Sequence, residues 1–108
     1  MRLNIYEKKK IVKTYEAETY NLLFGTMEDV AKAVKLDELK TGTDAEIIKA
    51  AANLALNSMD TVKGLMLDIF DGLTEEELRG ARVQEIAAVL VDVVRFTIKQ
   101  LAVHTPKN

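Results

Sequence analysis

The chain of 108 residues contains no cysteine and no tryptophan, one proline, one histidine and one serine. Without cysteine there is no disulfide scaffold, no thiol nucleophile and no structural zinc of the cysteine type. His104 stands alone in a polar C-terminal stretch and Ser58 has no base beside it in any motif, so a histidine metal cluster and a Ser–His nucleophile are both excluded. The five glycines (25, 42, 64, 72 and 80) never cluster, which leaves no loop to cradle a phosphate. The longest apolar stretch, Ile86–Val94, is interrupted by Asp92 and falls far short of the ~20 residues a membrane span needs. The opening MRLNIYEKKK lacks the apolar segment of a signal peptide, which predicts a cytoplasmic protein.

What is present is an ordinary globular balance. Hydrophobic residues make up 48% and charged residues 30%, enough apolar material to oppose global disorder. A chain of this size buries roughly 65% of its unfolded surface, which supports one domain, residues 1–103, followed by a flexible tail, 104–108. The net charge of −2 is unevenly spread. Residues 1–13 carry Arg2, Lys8, Lys9, Lys10 and Lys13 against Glu7 alone. Asp68, Asp71, Glu75, Glu76 and Glu77 form a stretch from 68 to 77 without any lysine or arginine. One short basic segment on an acidic body is a poor match to the extended basic face of a nucleic-acid binder.

Alternation in Arg2–Tyr6 and the β-branched and aromatic run Lys10–Tyr15 predict a hairpin over 2–15, turning at Glu7-Lys8-Lys9. No Asn-Gly or Asp-Gly is present to signal a tight primed turn. A short helix is expected over 17–24, ended by Gly25 in the position after a helix C-terminus. Thr26 then has the character of an N-cap for a helix over 27–36, with Met27, Val30, Ala31 and Val34 on one face. Thr43-Asp-Ala-Glu46 is a complete capping box opening a helix over 44–57, and Asn57-Ser58 marks a break before another over 59–70. Gly64 inside that segment costs about 1 kcal/mol against alanine and is expected to mark a tight packing contact. Thr74-Glu-Glu-Glu77 is a second capping box, opening a helix over 75–79, and Gly80 interrupts before a long helix over 83–103. The apolar positions of that last helix wrap more than half of it, so it is either central in the domain or faces a partner. The expected fold is mainly α with a short N-terminal β-hairpin (α+β), about four to five helices and a long C-terminal helix.

Chemistry-bearing patterns are few. Glu75, Glu76 and Glu77 are consecutive on a helix and point about 100° apart, so they cannot converge on one cation; helix N-terminal charge explains them. Asp68-x-x-Asp71-Gly72 lacks both the alternating aspartates and the closing glutamate of a calcium loop. Tyr6, Tyr15 and Tyr20 lie near the basic hairpin, where they could stack bases or cover a small core. No cofactor and no enzyme activity are expected.

Taken in order, residues 13–30, KTYEAETYNLLFGTMEDV, and 69–101, IFDGLTEEELRGARVQEIAAVLVDVVRFTIKQL, carry a larger pattern. The K-T-Y lead-in, the L-L-F-G-T-x-E-D junction and the F-x-G-L-T-x-E-E-L box before a long apolar helix resemble the small tail assembly chaperones of long-tailed bacteriophages and prophages of Gram-positive bacteria. The resemblance implies a protein that coats the tape measure protein in the bacterial host cytoplasm. It would keep that protein soluble until tail tube subunits polymerise, and be absent from the mature virion. The tape measure protein is the implied partner, with the tail tube protein as a second. Apolar contact is expected from Leu22, Leu23 and Phe24 at the glycine junction, and from Val89, Val93 and Phe96 on the long helix, either as core or as partner-binding face. Charge asymmetry predicts self-association, with Lys8, Lys9 and Lys10 of one copy meeting Glu75, Glu76 and Glu77 of the next. The alternatives are a helical interaction or oligomerisation module unrelated to phage, and a nucleic-acid binder using the basic hairpin.

Overall fold

The computed structural model describes residues 1–34 and 43–104. An antiparallel hairpin, β1 (Arg2–Glu7) and β2 (Lys10–Glu16), leads through a single 3₁₀ turn at Thr19–Asn21 into five α-helices. These are α1 (Phe24–Val34), α2 (Asp44–Asn57), α3 (Met59–Ile69), α4 (Glu75–Arg79) and α5 (Val83–His104). The fold is therefore mainly helical with an N-terminal hairpin and a long C-terminal helix.

The helix starts follow local chemistry. Thr43 Oγ1 accepts from the Glu46 backbone N–H at 3.3 Å while the Glu46 carboxylate accepts from the Thr43 N–H, and Thr74 and Glu77 repeat the arrangement at α4. Each cap satisfies donors that a helix N-terminus would otherwise leave open. Ser58, at φ −142° and ψ 55°, separates α2 from α3.

The α5 helix is the central element: it packs on α1, α2, the 3₁₀ turn and β1. Val89, Leu90, Val93, Val94 and Thr97 form its buried face, and the Thr97 hydroxyl donates to the Val93 carbonyl at 2.8 Å, so this polar group is satisfied within the helix. Against it lie Leu3 and Ile5 from β1, Val30 from α1, Ile47, Ala51 and Leu54 from α2, and Leu65, Met66 and Phe70 from α3 and its end. Gly80 sits where the hairpin crosses the start of α5. Its carbonyl accepts from the Tyr6 N–H at 3.1 Å, and a Cβ on it would lie 3.2 Å from the Tyr6 carbonyl oxygen.

Four sequence expectations change. No helix forms over 17–24. The Met1 ammonium donates to the Ala17 carbonyl and the Ala17 N–H donates to the Met1 carbonyl, which extends the hairpin ladder to 17 and leaves room only for the 3₁₀ turn before the extended Leu22. The α1 helix then starts at Phe24 rather than 27, so Gly25 and Thr26 lie inside its first turn; Thr26 is buried rather than an exposed cap. Residues 35 and 36 of the expected helix, most of the loop before Thr43, and tail residues 105–108 lie outside the described residues. His104, expected in the tail, ends α5. Gly64 is no packing contact: a Cβ placed there meets nothing within 4 Å.

The hairpin turn also differs. Lys8 and Lys9 both have positive φ, 52° and 69°, the hallmark of the tight primed turn that the sequence does not signal. The turn matches the right-handed twist that lets Leu3 and Ile5 both face the core, and it holds despite two side chains that disfavour this backbone region by ~1 kcal/mol or more each. Replacing Lys8-Lys9 by Asn-Gly is expected to stabilise the chain by about 1–2 kcal/mol in chemical denaturation. An unchanged midpoint would mean that the turn carries no strain.

Candidate interaction surfaces

The hairpin is fastened to the helices by two tyrosine–glutamate pairs. Tyr6 Oη donates to Glu85 on α5, whose other carboxylate oxygen accepts from the Asn4 N–H at 2.9 Å. Tyr15, buried against Phe70, donates to Glu77 Oε1 at 2.6 Å, and Lys13 Nζ lies 3.2 Å from Glu77 Oε2. The Tyr15 hydroxyl, ahead of the Thr74 cap and Lys13, holds the Glu77 carboxyl down to about 2, against the opposing effect of burial. At Glu85 burial pushes upward, and hydrogen bonds from Tyr6 and Asn4 outweigh it, so this carboxyl also lies below its ordinary value. The Tyr6 hydroxyl is raised in turn by sharing its proton with Glu85.

Both depressed carboxyls stabilise the folded chain fully above the ordinary value of about 4.5, and that contribution is lost as the pH falls from there toward 2. Thermal melts should therefore show a midpoint that falls below pH 4.5. Tyr15→Phe should melt lower at neutral pH and fall less steeply with acid. Parallel pH profiles for the two proteins would show that the pair contributes nothing.

These contacts change how the hairpin can be used. Arg82 covers the Tyr6 ring at 4.1 Å and Lys13 covers the Tyr15 ring at 4.7 Å, so both rings already have a cation on one face. Glu77 is engaged within its own chain by Tyr15, Lys13 and Thr74. It therefore does not offer the free charge that the expected contact with another copy's lysines requires. Glu75 and Glu76 are exposed, as are Lys8, Lys9 and Lys10 at the hairpin tip.

The apolar candidates divide in the same way. Val89 and Val93 belong to the core, on the face of α5 that packs among α1, α2 and β1, and they present no surface to a partner. Phe96 is half-buried. Leu22 is half-buried against the core, whereas Leu23 and Phe24 stand 65% and 80% exposed where the chain turns into α1.

Two concave surfaces lie near these residues. The first is an apolar cleft of about 190 Å³ between α3, α4 and the start of α5, lined by Met59, Val62, Leu78 and Ile86 and rimmed by Lys63, Glu75 and Arg79. Met59 is 60% exposed, and Val83, one turn before Ile86 on α5, is 78% exposed, so the cleft opens onto further apolar surface. Sequence reasoning missed this cleft. Its residues come from three separate helices, and the periodicity within each helix does not say which of them meet.

The second is a furrow along α1 and α3. A cavity of about 550 Å³ lined by Asp29, Asp60, Asp68 and Gly64 continues past Asp68 into one of about 240 Å³ lined by Glu18, Asp71, Leu22 and Leu23. Among the described residues no acidic cluster is arranged to hold a metal ion, and no helix is long and apolar enough to cross a membrane. No family model, curated protein or solved structure matches this chain.

Proposed function

We propose that this protein is a non-catalytic tail assembly chaperone that covers the tape measure protein of a long-tailed bacteriophage, as the resemblance of residues 13–30 and 69–101 implies. The observation that supports it best is the apolar cleft between α3, α4 and α5. It is lined by Met59, Val62, Leu78 and Ile86 and bordered by the exposed Val83. A long amphipathic helix anchors itself through apolar side chains one or two turns apart, and such a cleft accepts one of them, with Lys63, Glu75 and Arg79 available to the helix's polar flank. Leu23 and Phe24 supply a second apolar contact on the same chain. Many copies of so small a domain could cover a long helix whose apolar stripe would otherwise aggregate.

Co-expression tests the proposal. The tape measure protein encoded in the same genome should be insoluble alone and soluble with this chain, and the complex should survive moderate salt because apolar burial dominates it. Met59→Asp, a change at an exposed position, should abolish solubilisation while the variant's own melting temperature stays put. A tape measure protein that remains insoluble with the wild-type chain removes the chaperone reading and leaves a helical interaction module. Unimpaired solubilisation by Met59→Asp removes the cleft.

A further inference from the structure

We propose that the hairpin tip of one copy docks into the acidic furrow between α1 and α3 of another, giving a salt-sensitive head-to-tail assembly independent of any other partner. The tip presents Lys8, Lys9 and Lys10, all exposed, beside the exposed apolar pair Ile11 and Val12. The furrow presents Asp29, Asp60, Asp68, Asp71 and Glu18, with Lys32 the single cation on its lining among the described residues, and ends at exposed Leu23, next to exposed Phe24 in sequence. None of those five carboxylates has a salt-bridge partner among the described residues. Each surface thus pairs charge of one sign with an apolar margin, and the two are complementary on both counts.

Both surfaces also carry residue types that cost local stability where other residues would not. Lys8 and Lys9 occupy left-handed backbone that Asn-Gly would fill without strain. Gly64 lies in the interior of α3 on the furrow lining, with open space where a Cβ would sit, although alanine there would favour the helix by about 1 kcal/mol. Strained lysines at a tip and an unpacked glycine in a groove are departures from local consistency, and such departures concentrate where a chain makes contacts. Gly64 leaves open space in the furrow, and the primed turn makes the tip narrow.

The contact cannot close within one chain. β2 runs from Lys10 at the tip to Glu16 beside the furrow, about 20 Å of extended strand, so a chain's own tip points away from its own furrow. The partner is therefore another copy. The contact is heterologous, with different surfaces used on the two sides, and it closes into a ring or extends into a filament.

Sedimentation velocity and light scattering of the purified protein alone, at tens to hundreds of micromolar, test this. Association is expected in low salt and should weaken at least tenfold by 0.5 M NaCl, because exposed charges are screened. Lys8→Glu/Lys9→Glu/Lys10→Glu should be monomeric and folded, as should Asp29→Lys/Asp68→Lys. Mixing the two should restore association, since each reversed surface then meets its complement. Gly64→Leu, which fills the furrow without changing charge, should also be monomeric, with its helix intact by circular dichroism. A strictly monomeric wild type in low salt overturns the proposal. So does association indifferent to the reversals, or a mixture that stays monomeric. A wild type that stays monomeric while its lysine tip binds duplex DNA in low salt would assign the tip to nucleic acid instead, and equally overturns it. None of these results depends on the tape measure protein, so failure here leaves the chaperone experiment standing.

Discussion

Val93→Asp is expected to lower the melting midpoint sharply, whereas Phe24→Asp should melt within a few degrees of wild type. The side chain at 93 is fully buried, next to Leu90 and Val94 on the face of α5 that carries the core. A carboxylate there loses its water without gaining a partner, and the effective penalty is several kcal/mol even after relaxation. A domain of this size is stable by only about 5–15 kcal/mol, so one such change removes much of the total. At ~4–8 °C per kcal/mol, the melting midpoint should drop by at least about 15 °C. Phe24 stands on the surface, where substitutions usually stay within about 0.5 kcal/mol. Circular dichroism melts of the two variants side by side decide the matter. A stable Val93→Asp variant that had only lost association would restore residue 93 to a partner-binding face and would contradict the packing of α5.

Phe70→Ala is the second large effect, expected at about 3–5 kcal/mol in urea or thermal unfolding. Phe70 is the largest of the fully buried side chains. It ends α3 and meets the Tyr15 ring at a centroid distance of 6.5 Å, tilted by 59°. It therefore joins the hairpin to the helical layer at the point where Tyr15 also holds Glu77. Truncation opens a cavity that Tyr15 cannot fill by a small shift, since its hydroxyl is held by Glu77. A double-mutant cycle with Tyr15→Leu should return a coupling of about 0.5–1.5 kcal/mol for the ring pair. Loss of less than about 1 kcal/mol in Phe70→Ala would show that the hairpin is not seated on this ring.

Much of the framework was legible before any coordinates. The threonine–glutamate boxes at 43–46 and 74–77 are contacts between residues three apart, and both form as the spacing predicts. The break at Ser58 and the long apolar helix from Val83 were visible in the same way. The interaction surfaces were only partly legible. The run Leu22-Leu23-Phe24 could be picked out as apolar residues at a junction, but no periodicity says that Leu22 turns inward while the next two turn out. Val89 and Val93 were equally compatible with core and with a partner face, because a helix apolar over more than half its surface does not state which half is covered first.

The sequence by itself determined the helix starts from α2 onward, the hairpin, the helical class, and the absence of cysteine, clustered histidine and clustered glycine on which several chemistries depend. These are short-range or compositional facts, set by groups within about one turn of each other or by residues that are not there. Tertiary structure decided what long-range contacts decide. Met1 pairs with Ala17 and cancels the helix expected from 17 to 24. Tyr6 reaches Glu85 and Tyr15 reaches Glu77, which engages one expected anion within its own chain, while Arg82 and Lys13 each cover one face of a tyrosine ring. Packing of α1 against α3 turns a glycine read as a tight contact into part of an open acidic furrow. The physical reason is that side-chain periodicity and capping act along the chain over three or four residues. Burial, charge pairing and groove shape depend instead on which distant segments meet, and in this protein those partners lie 16 to 81 residues apart.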